Sequence, residues 1–124
     1  MAKERWIVDG MNVIGSKPDG WWRDRQGAMR ALAERLAEIA GEDRDLTVVF
    51  DGRPFEVSPR GVRVEFATKR GPNAADDDIA RLVEADEDPA GLRVVTSDQD
   101  LARRVREHGA EVVGSGAFRD RFGL

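Results

Sequence analysis

The sequence predicts an α/β fold: a three-layer α/β/α sandwich around a mostly parallel five-stranded sheet, Rossmann-like in its strand order 3-2-1-4-5. Two observations lead there. Short apolar runs (Trp6–Val8, Leu46–Phe50, Val62–Ala67, Leu92–Val95 and Glu111–Val113) alternate with stretches of helical periodicity. The first, second and fourth runs are largely apolar, as strands covered on both faces are. A third observation concerns the ends of these runs. Asp9, Asp51 and, beyond Thr96-Ser97, Asp98 lie where three of them stop. Ligands bind such sheets beyond the carboxyl ends of the strands, where the strand order reverses. With strands one and four adjacent at that reversal, Asp9 and Asp98 are expected to face each other across a crevice.

In chain order, residues 5–9 form the first strand, and residues 10–23, with their Gly, Pro and Trp content, read as a loop. Asp24 is positioned to cap a helix running to about Ala40, with Ala28, Met29, Leu32, Leu36 and Ile39 at helical spacing and Gly41 as its stop. Leu46–Phe50 is the second strand. The connection 51–61 holds Pro54 and Pro59 and is a poor helix, so the direction of the third strand, Val62–Ala67, stays open. A helix over 74–86 and a turn at 88–91 lead to the fourth strand, 92–96. A helix over 98–108, ended by Gly109, leads to the fifth strand, 111–113. Residues 114–124 read as loop or frayed helix. The chain, 1–124, reads as one domain, long enough to bury about two thirds of its unfolded surface.

Composition narrows the chemistry. There is no cysteine, hence no disulfide, thiolate ligand or cysteine nucleophile. One histidine, His108, excludes a site built from several imidazoles, and its place before Gly109 suits a helix end. The start of the chain does not read as a signal peptide, and no run approaches the roughly 18 apolar residues of a membrane span. Cytoplasmic localisation is the default expectation, with no membrane partner. The net charge of −4 hides an asymmetry. Residues 53–70 carry five basic against two acidic groups, and residues 71–100 nine acidic against two basic. A basic segment beside an acidic cluster suits a metal site flanked by phosphate contacts, although ordinary solvated surfaces show such blocks too.

Each acid also has a structural reading. Asp9-Gly10-Met11-Asn12 and Asp51-Gly52 are turn-forming sequences. Asp76 leans toward the face of Ile79, Leu82 and Val83 at about 100° per residue, whereas Asp77 and Asp78 fall away from it. Asn73 as cap with Asp76 in the first turn would account for the same acid. Ser97 as cap with Asp100 reaching back would account for Ser97 and Asp100, leaving Asp98 without a structural duty. Carboxylates sharing one site repel unless a cation neutralises them, and an oxygen-only donor set favours Mg²⁺ over zinc. Trp21 and Trp22 read as pins of the first loop or as an interface, in preference to a base-stacking role.

Taken together, Asp9-Gly10-Met11-Asn12, Phe50-Asp51-Gly52, Ala75-Asp76-Asp77-Asp78-Ile79, Thr96-Ser97-Asp98 and Gly114-Ser115-Gly116-Ala117-Phe118-Arg119 resemble, in order and spacing, the YacP-like NYN domain family of the PIN-like nuclease superfamily. The resemblance implies a metal-dependent endoribonuclease. Asp9, Asp76 and Asp98 match the family's core acids, Asp100 a further acid of many PIN-like sites, and Asn12 the asparagine after the first acid. The triplet Asp76-Asp77-Asp78 departs from the one or two acids usual at that point. The expected arrangement has Asp9, Asp76, Asp98 and Asp100 holding Mg²⁺ or Mn²⁺, with Asn12 beside them and Ser97, Asp51 and Asp77 in support. Arg53, Arg63, Lys69, Arg70 and Arg119 are the candidate contacts to RNA, expected single-stranded. A ribosomal or protein partner is left open. The alternative is a non-catalytic RNA-binding module of the same fold. A receiver-like or phosphatase-like reading is disfavoured: Asp9-Gly10-Met11 lacks the second acid two residues on, and no lysine is well placed after a later strand.

Overall fold

In the computed structural model, which describes residues 3–124, the central strand is β1 (Glu4–Asp9). It pairs in parallel with β2 (Arg44–Phe50) on one side, Asp9 opposite Val49, and with β4 (Leu92–Val95) on the other, Val8 opposite Val95. The outer strands β3 (Val62–Phe66) and β5 (Glu111–Val113) are parallel as well, which completes the order β3-β2-β1-β4-β5. Fold class and strand order are those the sequence predicts. The direction of β3, left open above, is parallel even though residues 51–61 contain no helix.

Strand parity sorts the helices into two layers. Trp6, Val8, Leu46, Val48, Phe50 and Val95 face α1 (Gly10–Gly15), α2 (Arg25–Ala40) and α5 (Ser115–Phe122). Ile7, Val49, Leu92 and Val94 face α3 (Ala74–Ala85) and α4 (Gln99–Glu107). α2 begins where expected, because the Asp24 carboxylate accepts the Gly27 N–H at 3.0 Å, and Gly41 follows its last residue in a conformation with φ of 51°.

Two stretches depart from the sequence reading. Residues 10–15 are helical, not loop: α1 starts directly after Asp9 and buries Val13 and Ile14. Gly10 makes the abrupt turn possible, since a Cβ there would fall inside the van der Waals envelope of the buried Phe50 ring. Residues 115–122 are also a formed helix, held by the fully buried Phe118. No helix among the described residues is long and apolar enough to cross a membrane.

Candidate active site at the carboxyl end of the sheet

Parity also decides where the acids point. Asp9 shares the face of Ile7, Asp51 that of Val49, and Thr96 that of Val94, so all three lie on the α3/α4 side. The amino ends of α3 and α4 border the same region and bring Asp76 and Asp98. The fold thus brings Asp9, Asp51, Asp76 and Asp98 to the same end of the sheet, near enough for their charges to act on Asp9 and Asp76.

Asp9 is 4% exposed, and the Thr96 hydroxyl donates to its Oδ2 at 2.8 Å. Burial pushes its carboxyl up to about 6 against that hydrogen bond, helped by the charges of Asp51 and Asp98. Asp76, half-buried, is pushed up to about 7, by burial first and then by Asp9, Asp98 and Asp51.

The capping roles fall differently from the sequence reading. Asp98, not Ser97, caps α4: its Oδ1 accepts the Leu101 N–H at 3.0 Å while its own N–H donates to Thr96 Oγ1 at 3.1 Å. Asn73 makes no side-chain cap. Asp51 instead reaches from the end of β2 to accept the Ala75 N–H at 2.7 Å, which ties the start of α3 to the sheet just before Asp76. Both duties leave the second carboxylate oxygen available. Asp100, by contrast, is exposed, with Arg103 at 3.9 Å.

Asn12 joins three elements. Its Oδ1 accepts the Ser97 N–H at 2.8 Å and the Ser115 hydroxyl at 2.6 Å, and Ser97 Oγ in turn accepts the Ser115 N–H at 2.9 Å. Thr96 and Ser115, both buried, are functional-site neighbours that the sequence reading left without a role. The signal was available, since each lies inside one of the motifs quoted above. Asp77 pairs with Arg104 at 2.9 Å, and Asp78 is taken by Thr68 and Arg81, which fixes the β3–α3 loop.

Of the basic candidates, Arg53, Lys69 and Arg70 are exposed on loops that follow β2 and β3, at the acid end of the sheet. Arg63 is not brought there; it lies early in β3 beside Arg5, Asp45 and Asp86. Arg119 is held elsewhere too, its Nε donating to Val13 O at 2.9 Å and Ser16 Oγ at 2.8 Å across the end of α1.

Whether these residues suit a divalent ion can be judged from their donors. The set is carboxylate oxygen without sulfur or imidazole, the chemistry of Mg²⁺ and Mn²⁺ sites, and Asp9 and Asp76 are raised first by burial and then by the neighbouring acids. Among the described residues no three acidic side chains stand within coordinating reach of one point, so side-chain rotation would accompany loading.

The raised carboxyls have a consequence for stability. In EDTA, Asp9 and Asp76 hold protons in the folded state that they have lost in the unfolded chain between about pH 4 and pH 7. Stability should therefore fall as pH rises through that window and level off above it. At about 1.4 kcal/mol per pH unit, about one unit from Asp9 and about two from Asp76 set an upper bound of about 4 kcal/mol, which solvent screening of the half-buried Asp76 reduces. Urea unfolding is expected to show about 2–3 kcal/mol more stability at pH 5 than at pH 8, and Asp76→Asn to flatten the profile. An unchanged slope in Asp76→Asn would remove that residue from the coupled set.

A family model described as YacP-like NYN domain matches residues 6–123. Two crystal structures of Rae1 (YacP) from Bacillus subtilis share the fold. A point mutant superposes with a TM-score of 0.80 at 22% identity, over 97% of this chain and 75% of that one. A second structure gives 0.76 at 23% identity, over 99% and 74%. No curated protein matches the sequence.

Proposed function

The chain belongs to the YacP-like NYN domain family, a family of PIN-like nucleases, and from that premise we propose that it is a Mg²⁺- or Mn²⁺-dependent endoribonuclease acting on single-stranded RNA. The observation that carries this reading is the electrostatic coupling of Asp9, Asp51, Asp76 and Asp98 at the one place where the strand order reverses.

Asp9, Asp76 and Asp98 are the residues that would hold the ion, with Asp100 at the rim. When bound, such an ion supplies an activated water and positive charge against a phosphodiester. The chain's own groups do the positioning. Thr96 fixes the Asp9 carboxylate, and Asp51 fixes the first turn of α3 and with it Asp76. Asn12, Ser97 and Ser115 lock the turn that carries Asp98. Arg53, Lys69 and Arg70 offer phosphate contacts on one side of the crevice. No side-chain nucleophile is required.

The test is cleavage of a labelled single-stranded RNA by the wild-type protein. Cleavage is expected with Mg²⁺ or Mn²⁺, to stop in EDTA and to return on adding the ion back. An oligodeoxynucleotide of the same sequence reports the preference for ribose. Retention of RNA without cleavage at any ion concentration would overturn the nuclease reading in favour of a non-catalytic RNA-binding module.

A further inference from the structure

We propose that Trp22 is a stacking platform for one base of a single-stranded RNA on its way into the acidic crevice, with Arg23 and Arg25 beside the backbone. The inference rests on the function proposed above and adds a binding subsite to it.

The two tryptophans of the first loop have separate fates. Trp21 is half-buried against the core cluster that contains Val13, Ile14 and Leu32. Trp22 is 55% exposed, and among the described residues only Leu82 joins it as a large apolar side chain so open to solvent. The fold thus uses one indole and leaves the other facing water. Trp22 is nevertheless not loose: its ring meets that of Trp21 edge to face, with centroids 5.9 Å apart and planes at 85°. A rigid, pre-positioned aromatic face loses little entropy when a base settles on it.

Location and charge agree with this use. Trp22 lies in the 3₁₀ turn Trp21–Arg23 just before α2, whose amino end sits at the carboxyl end of the sheet. Arg25 Nη2 donates to the Asp51 carbonyl at 3.3 Å. Three residues span at most about 11 Å of backbone, so Trp22 lies on the same end of the sheet as the Arg25 contact to Asp51. The Arg23 guanidinium lies over one face of the Trp22 ring, 5.9 Å from its centroid, so a base would take the other face, and the acid between the two arginines, Asp24, is turned onto the Gly27 N–H. Among the described residues neither Arg23 nor Arg53 takes part in a salt bridge.

The apolar area argues against a protein as the occupant. A stable interface covers about 800 Å² per partner, whereas a tryptophan offers about 250 Å² at most. Leu82 cannot extend the patch, because α3 lies on the other side of the sheet. One exposed indole has the dimensions of one base.

Binding of a fluorescein-labelled oligoadenylate of about eight nucleotides, followed by anisotropy in EDTA, tests the proposal without cleavage. Trp22→Ala should raise Kd about 5- to 100-fold, Trp22→Phe should recover most of the loss, and abasic substitutions along the oligonucleotide should erase the difference. The platform is overturned if wild-type protein does not bind, if Trp22→Ala binds within twofold of wild type, or if Trp22→Phe is as weak as Trp22→Ala. It is overturned as well if Trp22→Ala spares RNA binding but abolishes self-association in sedimentation, the mark of a protein contact. A parallel assay with Mg²⁺ separates the two readings. Wild-type cleavage together with unaltered Trp22→Ala binding removes the platform and leaves the nuclease. Weakened Trp22→Ala binding without cleavage in any protein does the reverse.

Discussion

Asp98→Asn is expected to slow RNA cleavage by about 10²–10³-fold, the several kcal/mol that a charge-stabilising ligand contributes, while leaving the melting temperature close to that of the wild type. The substitution is informative because Asp98 has two duties. It caps α4 through the Leu101 N–H, and its charge acts on Asp9. Asparagine caps a helix about as well as aspartate, so this change removes the charge and spares the helix. Asp98→Ala removes both and should cost about 1 kcal/mol of stability besides. Initial rates with Mg²⁺, set against urea midpoints, separate the two contributions. Wild-type rates in Asp98→Asn would exclude the acid from the site. Asp100→Asn is the matched control: that side chain is 89% exposed, and the expected loss is below about tenfold, in line with a partner outside the ligand set.

The fold was legible because short apolar runs and the βαβ rhythm are local signals. Apolar runs of five or so residues, separated by helical stretches, leave few topologies once connections are short and right-handed. The end of the sheet at which the acids gather followed from the strand order alone. What could not be read locally was the use of each polar group. Ser97 with Asp100 and Asn73 with Asp76 both obey the capping pattern, yet the caps are Asp98 and the distant Asp51, which reaches α3 from another strand. A contact between residues 24 positions apart leaves no trace in a capping motif. Leu82 shows the same limit: its helical position groups it with Ile79 and Val83, but it lies at the margin of that face and remains 36% exposed. Residues 10–15 were misread for a related reason. Asp, Gly and Asn favour turns, and the burial of Val13 and Ile14 against the sheet outweighs that preference.

The end of the chain gives the clearest contrast between local and tertiary signals, and Phe118→Ala measures it. The expected cost is about 3–5 kcal/mol, the range for deleting a buried aromatic ring. Phe118 is fully buried, 5.7 Å from the Trp6 centroid and 5.0 Å from that of Phe122, three rings that close the sheet on the α1/α5 side. Gly114-Ser115-Gly116 weakens the helical signal ahead of it, so residues 114–124 resemble a frayed tail although Phe118 and Phe122 share one helical face. The consequences extend to the acids. α5 presents Ser115 to Asn12 and Ser97, and Arg119 to the last carbonyls of α1, the helix that starts from Asp9. Loss of the ring should therefore reduce cleavage per folded molecule, beyond the decrease in folded fraction. Urea midpoints with an unchanged slope, combined with rates at a temperature where the variant is folded, test both statements. A cost under about 1 kcal/mol with wild-type turnover would show that α5 is peripheral, as a frayed tail would be.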